Sequence, residues 1–146
     1  MNPLAPILLA EDEPDDVFLM KRAFARAELA HPLHVVTDGS QAIQYLKGEG
    51  GFANRQQHPL PVLLLLDLKM PFKNGFEVLQ WIRQESAHKR LIVVVLTSSS
   101  QALDVNRAYE MGANSYLVKP ALFDELLELV RRVDAYWFGT NTLPTI

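Results

Sequence analysis

At 146 residues the chain suits a single domain, large enough to bury most of its unfolded surface without staples. Hydrophobic residues make up 49% and charged ones 21%, which excludes a disordered or fibrous chain; a net charge of −3 with scattered Lys and Arg argues against nucleic acid as a direct partner. The absence of cysteine excludes disulfides, thiolate metal sites and cysteine nucleophiles together.

The stretch Met1-Asn2-Pro3-Leu4-Ala5-Pro6 has no basic region ahead of a long apolar core, unlike a signal peptide. No apolar run approaches the roughly 18 residues of a membrane span, so no membrane partner and a cytoplasmic location are expected. A first strand is expected at about Ile7 to Ala10. Pro14, Asp15 and Asp16 then suit a first helical turn, with Val17, Met20, Phe24 and Ala27 along one face. Leu33 to Val36 reads as a second strand, and Asp38-Gly39-Ser40 turns into a helix whose Ala42, Ile43 and Leu46 share a face. The polar stretch from Gly48 to Pro61 exceeds the usual roughly 2 to 6 residue connection and is expected to be a mobile surface loop.

Val62 to Leu66 is an unbroken apolar run ending at Asp67, followed by a turn over Pro71 to Gly75 and a helix carrying Val78, Leu79 and Ile82 inward. Leu91 to Leu96 repeats the pattern. Ser98, Ser99 and Ser100 offer N-cap hydroxyls to a helix running to about Met111 and stopped at Gly112. A short strand at Ser115 to Val118 precedes the last helix, which begins after Lys119-Pro120 and carries Leu126, Leu129, Val130, Val133 and Trp137 as a stripe. This alternation implies an α/β fold: a doubly wound, five-stranded parallel sheet with helices on both faces. The expected core spans about residues 7 to 138, with 139 to 146 a frayed tail.

In such a sheet the apolar strands release their next residues at one rim, here Glu11 and Asp12, Asp67, Thr97 and Lys119. If the first and third strands are neighbours, Glu11, Asp12 and Asp67 converge and repel unless a cation joins them. Oxygen-only ligands point to magnesium or a similar hard ion, and magnesium commonly completes its shell with phosphate oxygens. Asp67 is then a plausible nucleophile for a phosphoryl group, with Lys119 and Thr97 as partners of its oxygens. The bland alternatives are a solvated acidic turn around Glu11 to Asp16, a threonine cap and a solvated lysine. The histidines His31, His34, His58 and His88 show no ligand spacing and suit surface or loop roles.

Four ordered motifs then carry a resemblance: Leu8-Leu9-Ala10-Glu11-Asp12, Leu65 to Gly75 around Asp67, Val95-Leu96-Thr97-Ser98, and Gly112 to Pro120. Together they resemble the receiver domain of two-component response regulators, over about Ile7 to Val133, whose fold has strand order 2-1-3-4-5. The resemblance implies that Asp67 takes a phosphoryl group from a sensor histidine kinase. It implies Mg²⁺ bound by Asp12, Asp67 and the backbone carbonyl of Lys69, with Glu11 through water. It gives Thr97 and Lys119 the phosphoryl oxygens, makes Tyr116 the ring of an aromatic switch, and matches Lys119-Pro120 to a dipeptide whose peptide bond is often cis. Lys69, two residues after the acceptor, could clamp phosphate or point to solvent.

The long loop before the third strand, Pro71-Phe72-Lys73-Asn74-Gly75 and the tail Tyr136-Trp137-Phe138 look most like stand-alone regulators associated with phytochrome-type kinases, which implies a possible homodimer through the carboxyl-terminal side. Trp137 could equally pack within its own chain. With no effector segment after Phe138, output is expected through contacts with an unidentified downstream protein. Rival readings are a magnesium-dependent phosphohydrolase using the same residues, and a pseudo-receiver that binds without being phosphorylated.

Overall fold

A computed structural model describes residues 5–146. Met1 to Leu4, most of the stretch weighed above as a signal peptide, lie outside the described residues. Strands β1 (Ile7–Ala10), β2 (Leu33–Val36), β3 (Leu63–Leu66), β4 (Ile92–Thr97) and β5 (Ser115–Val118) form one parallel sheet in the order β2-β1-β3-β4-β5. The three central strands are buried along their whole length, as their apolar sequences require, whereas the edge strands β2 and β5 are mostly half-buried.

Helices α1 (Pro14–Arg26), α2 (Gly39–Lys47), α3 (Gly75–Gln84), α4 (Ala102–Glu110) and α5 (Phe123–Asp134) cover both faces. Strand alternation splits the core into two layers. Leu8, Leu64, Leu66, Val93 and Val95 pack with Leu46 of α2, Val78 and Leu79 of α3 and Ala108 of α4. Ile7, Leu9, Leu65, Val94 and Leu96 pack with Met20 and Phe24 of α1 and Leu126 and Val130 of α5. The doubly wound order is the one expected. Among the described residues no helix is long and apolar enough to cross a membrane.

Local chemistry accounts for several boundaries. Pro14 opens α1, where its missing N–H costs nothing. Asp38 caps α2 by accepting from Gln41 N at 2.8 Å, and Asn74 with Glu77 forms a reciprocal capping box at the start of α3. At Gly75 the chain passes so close to the end of β3 that a Cβ would sit 2.3 Å from the Asp67 carbonyl oxygen, so only glycine fits.

One expectation needs correction, and two further segments make contacts that their sequence does not announce. The Ser98 to Ser100 hydroxyls do not cap α4, which starts at Ala102 with Gln101 at the cap. Ser99 instead donates its hydroxyl to Asp104 at 2.6 Å, while its carbonyl accepts the Tyr116 hydroxyl at 2.9 Å. The surface segment from Gly48 to Pro61 is anchored at named points: Arg55 donates to the carbonyls of Tyr45, Leu46 and His58, and the Tyr45 hydroxyl donates to Pro59 O at 2.9 Å. Phe52, tilted, and His58, edge-on, pack around the buried Tyr45 ring.

The carboxyl-terminal residues, expected as a frayed tail, also make contacts. After α5 the chain makes a π-helical turn over Ala135–Thr140. His31 sets its ring between Ala5 O at 3.1 Å and Asp134 Oδ1 at 3.0 Å, stacked on Phe138. Trp137 packs on its own core, Leu143 follows it into that layer, and Ile146 reaches the opposite layer. Arg90, just before β4, donates to Thr145 O at 2.8 Å.

Candidate functional site

The ladder places the reactive groups. Ala10 pairs with Leu66, so the residues that follow, Glu11 and Asp67, emerge side by side. Thr97 pairs with Val118 on the other side, and the pairing continues one step further, with Lys119 N donating to Thr97 O at 2.7 Å. That bond aims Lys119 back over the rim. The peptide bond to Pro120 is trans, since the described residues contain no cis peptide bond. The open question of that bond's geometry is answered as trans, and the extended ladder does the aiming.

Carboxylate oxygens of Glu11, Asp12 and Asp67 all lie within 4.8 Å of one another. Glu11 and Asp67 are 2% and 6% exposed, and Asp12 is half-buried. The Lys119 ammonium pairs with Glu11, and stands 3.1 Å from Asp67 Oδ2 and 3.0 Å from Asp16 Oδ2. Glu13 N donates to Glu11 Oε2 at 3.2 Å, and Lys69 N makes a longer contact of 3.4 Å with Asp67 Oδ1. The Lys69 side chain is exposed.

Burial pushes the Glu11 carboxyl up to about 7; the hydrogen bond from Lys119 pulls it down, and the Asp67 charge pushes it up again. Burial works the other way on Lys119, but its bonds to Glu11 and Asp16 and the Asp67 charge prevail, and the ammonium is held above its ordinary range. Three crowded carboxylates facing one lysine form an all-oxygen donor set that fits a divalent hard cation.

Thr97 is fully buried, and its hydroxyl oxygen has no hydrogen-bond partner among the described residues. A buried hydroxyl left without a partner costs about 1 to 3 kcal/mol, so its place beside Asp67 and Lys119 marks it for a guest. Tyr116, from β5, packs on the core, and burial raises its hydroxyl's pKa. Its bond to Ser99 O links it to the loop that leaves Thr97.

The structure thus brings together every residue singled out at the rim: Glu11, Asp12, Asp67, Thr97 and Lys119, with Tyr116 behind them. In the sequence Asp16 is only a favourable charge in the first turn of α1. Nothing in local spacing reveals that this turn faces the end of β5; the packing of α1 against α5 does.

The response regulator receiver domain family matches residues 7–131, and the chain belongs to that family. Response regulator Rcp1 of Synechocystis sp. is 38% identical over 143 residues, which cover 98% of this chain and 95% of Rcp1. The Mn²⁺-bound form of Rcp1 superposes with a TM-score of 0.85 over 97% of this chain and 99% of that one. Response regulator RPA3017, in red light signaling of R. palustris, gives a TM-score of 0.93 at 38% identity, covering 98% of this chain and all of its own. The phosphorylated cyanobacterial phytochrome response regulator RcpA gives 0.89 at 36% identity, with 98% and 100% covered. These relatives are regulators, and this chain spans almost all of each.

Proposed function

We propose that the chain is a phosphorylation switch in which Asp67 receives a phosphoryl group from a phytochrome-type histidine kinase. The kinase class rests on the likeness to RPA3017 and RcpA. The observation that carries the chemistry is the pairing of Asp67 with Lys119 beside the partnerless Thr97 hydroxyl. An Asp67 oxygen attacks phosphorus, the N–P bond of the donor breaks, and the imidazole nitrogen keeps the electron pair and takes up a proton. The product is an acyl phosphate on Asp67.

Lys119 and the Thr97 hydroxyl donate to the phosphoryl oxygens. Asp12, Asp67 and the Lys69 carbonyl, with Glu11 through water, would hold Mg²⁺, which when bound neutralises charge on those oxygens. The product itself carries new charge among buried groups. As Thr97 turns to the phosphoryl group it draws on the loop to Ser99, whose carbonyl holds Tyr116. The surface of α4, β5 and α5 changes with it, and output passes by contact with another protein or a second copy. Tyr136, 51% exposed on the carboxyl-terminal side, is available to such a contact, whereas Trp137 supports the fold from within.

Incubation with phosphoramidate and Mg²⁺ followed by intact-mass measurement tests the assignment. One phosphoryl mass is expected on the wild type and none on Asp67→Asn. Addition to Asp67→Asn, or repeated turnover of a phosphomonoester by the wild type, would refute it.

A further inference from the structure

Lys119 has three anionic partners, and they do not share one fate. Glu11 and Asp67 belong to the carboxylate group that fits a divalent cation, and Asp67 also gives an oxygen to the new P–O bond. Asp16 stands apart. It comes from the first turn of α1 instead of the sheet rim, is not part of the three-carboxylate group, and holds the Lys119 ammonium at 3.0 Å. It is also the most open of the three, with a side chain 39% exposed against 2% for Glu11 and 7% for Asp67. Its carboxylate is therefore committed neither to the cation nor to the new P–O bond.

We propose that Asp16 is the positioning residue for Lys119. The assignment rests on the functional reading above. A lysine ammonium is a compact charge on a flexible stem, and it settles wherever the local field is most negative. Without Asp16 it falls fully onto Glu11 and Asp67, the oxygens a divalent cation needs, and becomes that cation's competitor. With Asp16 the ammonium is shared three ways, pairing with Glu11 and standing 3.0 Å from Asp16 and 3.1 Å from Asp67, so part of its charge is drawn off the oxygens a cation needs while it stays within reach of a phosphoryl group on Asp67. Asp16 thus weakens the hold of Lys119 on the oxygens it shares with the cation.

Mg²⁺ titration of the unphosphorylated protein by calorimetry reads this directly. Asp16→Asn is expected to raise the Mg²⁺ dissociation constant about three- to fivefold, the scale of a partly exposed ion pair. Asp16→Glu restores tight binding, because a carboxylate returns. In a Lys119→Met background Asp16→Asn changes nothing further, since no ammonium remains to be displaced. Unchanged Mg²⁺ affinity in Asp16→Asn, or an equal loss in the Lys119→Met background, would overturn the positioning role. If instead the wild type takes up no phosphoryl group from phosphoramidate, the functional reading itself fails.

Discussion

Gly75→Ala tests how closely the start of α3 presses on the phosphoryl-accepting residue. The added Cβ would lie 2.3 Å from the Asp67 carbonyl oxygen and 2.7 Å from Leu68 Cα, both backbone atoms, whereas real Cβ contacts essentially never fall below 3.0 Å. Relief requires the end of β3 and the start of α3 to part by about 1 Å, an overpacking that costs roughly 1 to 3 kcal/mol. The helix cannot simply swing away. Its capping box fixes the first turn, Gly75 N donates to Leu68 O at 2.9 Å, and Phe76, Val78, Leu79 and Ile82 are buried behind it. A loss near 2 kcal/mol lowers the urea midpoint by about 1 M at an ordinary slope. A misplacement of about 1 Å at the nucleophile slows phosphorylation by phosphoramidate on the order of a hundredfold. Gly51→Ala is the control, because a Cβ there meets nothing within 4 Å. If Gly75→Ala keeps both the wild-type midpoint and the wild-type rate, the close approach has no mechanical consequence and the reasoning fails.

Arg55→Ala removes the donor to three carbonyls and should cost about 2 kcal/mol, with new protease sensitivity confined to residues 48 to 61; an unaltered cleavage pattern would show that the clamp is idle. Burial raises the Tyr45 hydroxyl to about 12, so its neutral form is favoured in the fold. Stability is then intact below pH 10 and falls between pH 10 and 12 as the unfolded chain ionises first, by about 2 to 3 kcal/mol. Urea midpoints of Tyr45→Phe should lack that part of the alkaline loss, and parallel pH curves for the two proteins would count against it. Mg²⁺ at about a hundred times its dissociation constant should add about 2.7 kcal/mol to the wild type. Asp12→Asn should lose most of that gain in thermal melts, and an equal gain would remove Asp12 from the metal site.

Elements whose signal lies in the residues themselves are legible in the sequence. β1, β2 and β5 have the expected bounds because short apolar runs stop at charges or turns, and Pro14 starts α1 because proline tolerates little else. The rim residues are legible for the same reason: they close a strand or stand within two residues of its end. What stays hidden depends on partners distant in sequence. The Gly48 to Pro61 segment looks polar and loose, yet it is held by one guanidinium seated on the end of α2. Three consecutive serines look like caps, yet Ser99 is occupied by Asp104 and Tyr116. Asp16 looks like an ordinary first-turn acid until α5 is laid beside α1.

The last residues of the chain have a mechanical meaning. Leu143 lies in the layer of α1 and α5, Ile146 in the layer of α2, α3 and α4, and Arg90 grips Thr145 near the start of β4. A strap of this kind stitches the two faces of the sandwich together at the end remote from Asp67. The base is thereby a fixed floor, and the work done by a new charge at the top is spent on the loops above the sheet instead of on sliding one helical layer past the other.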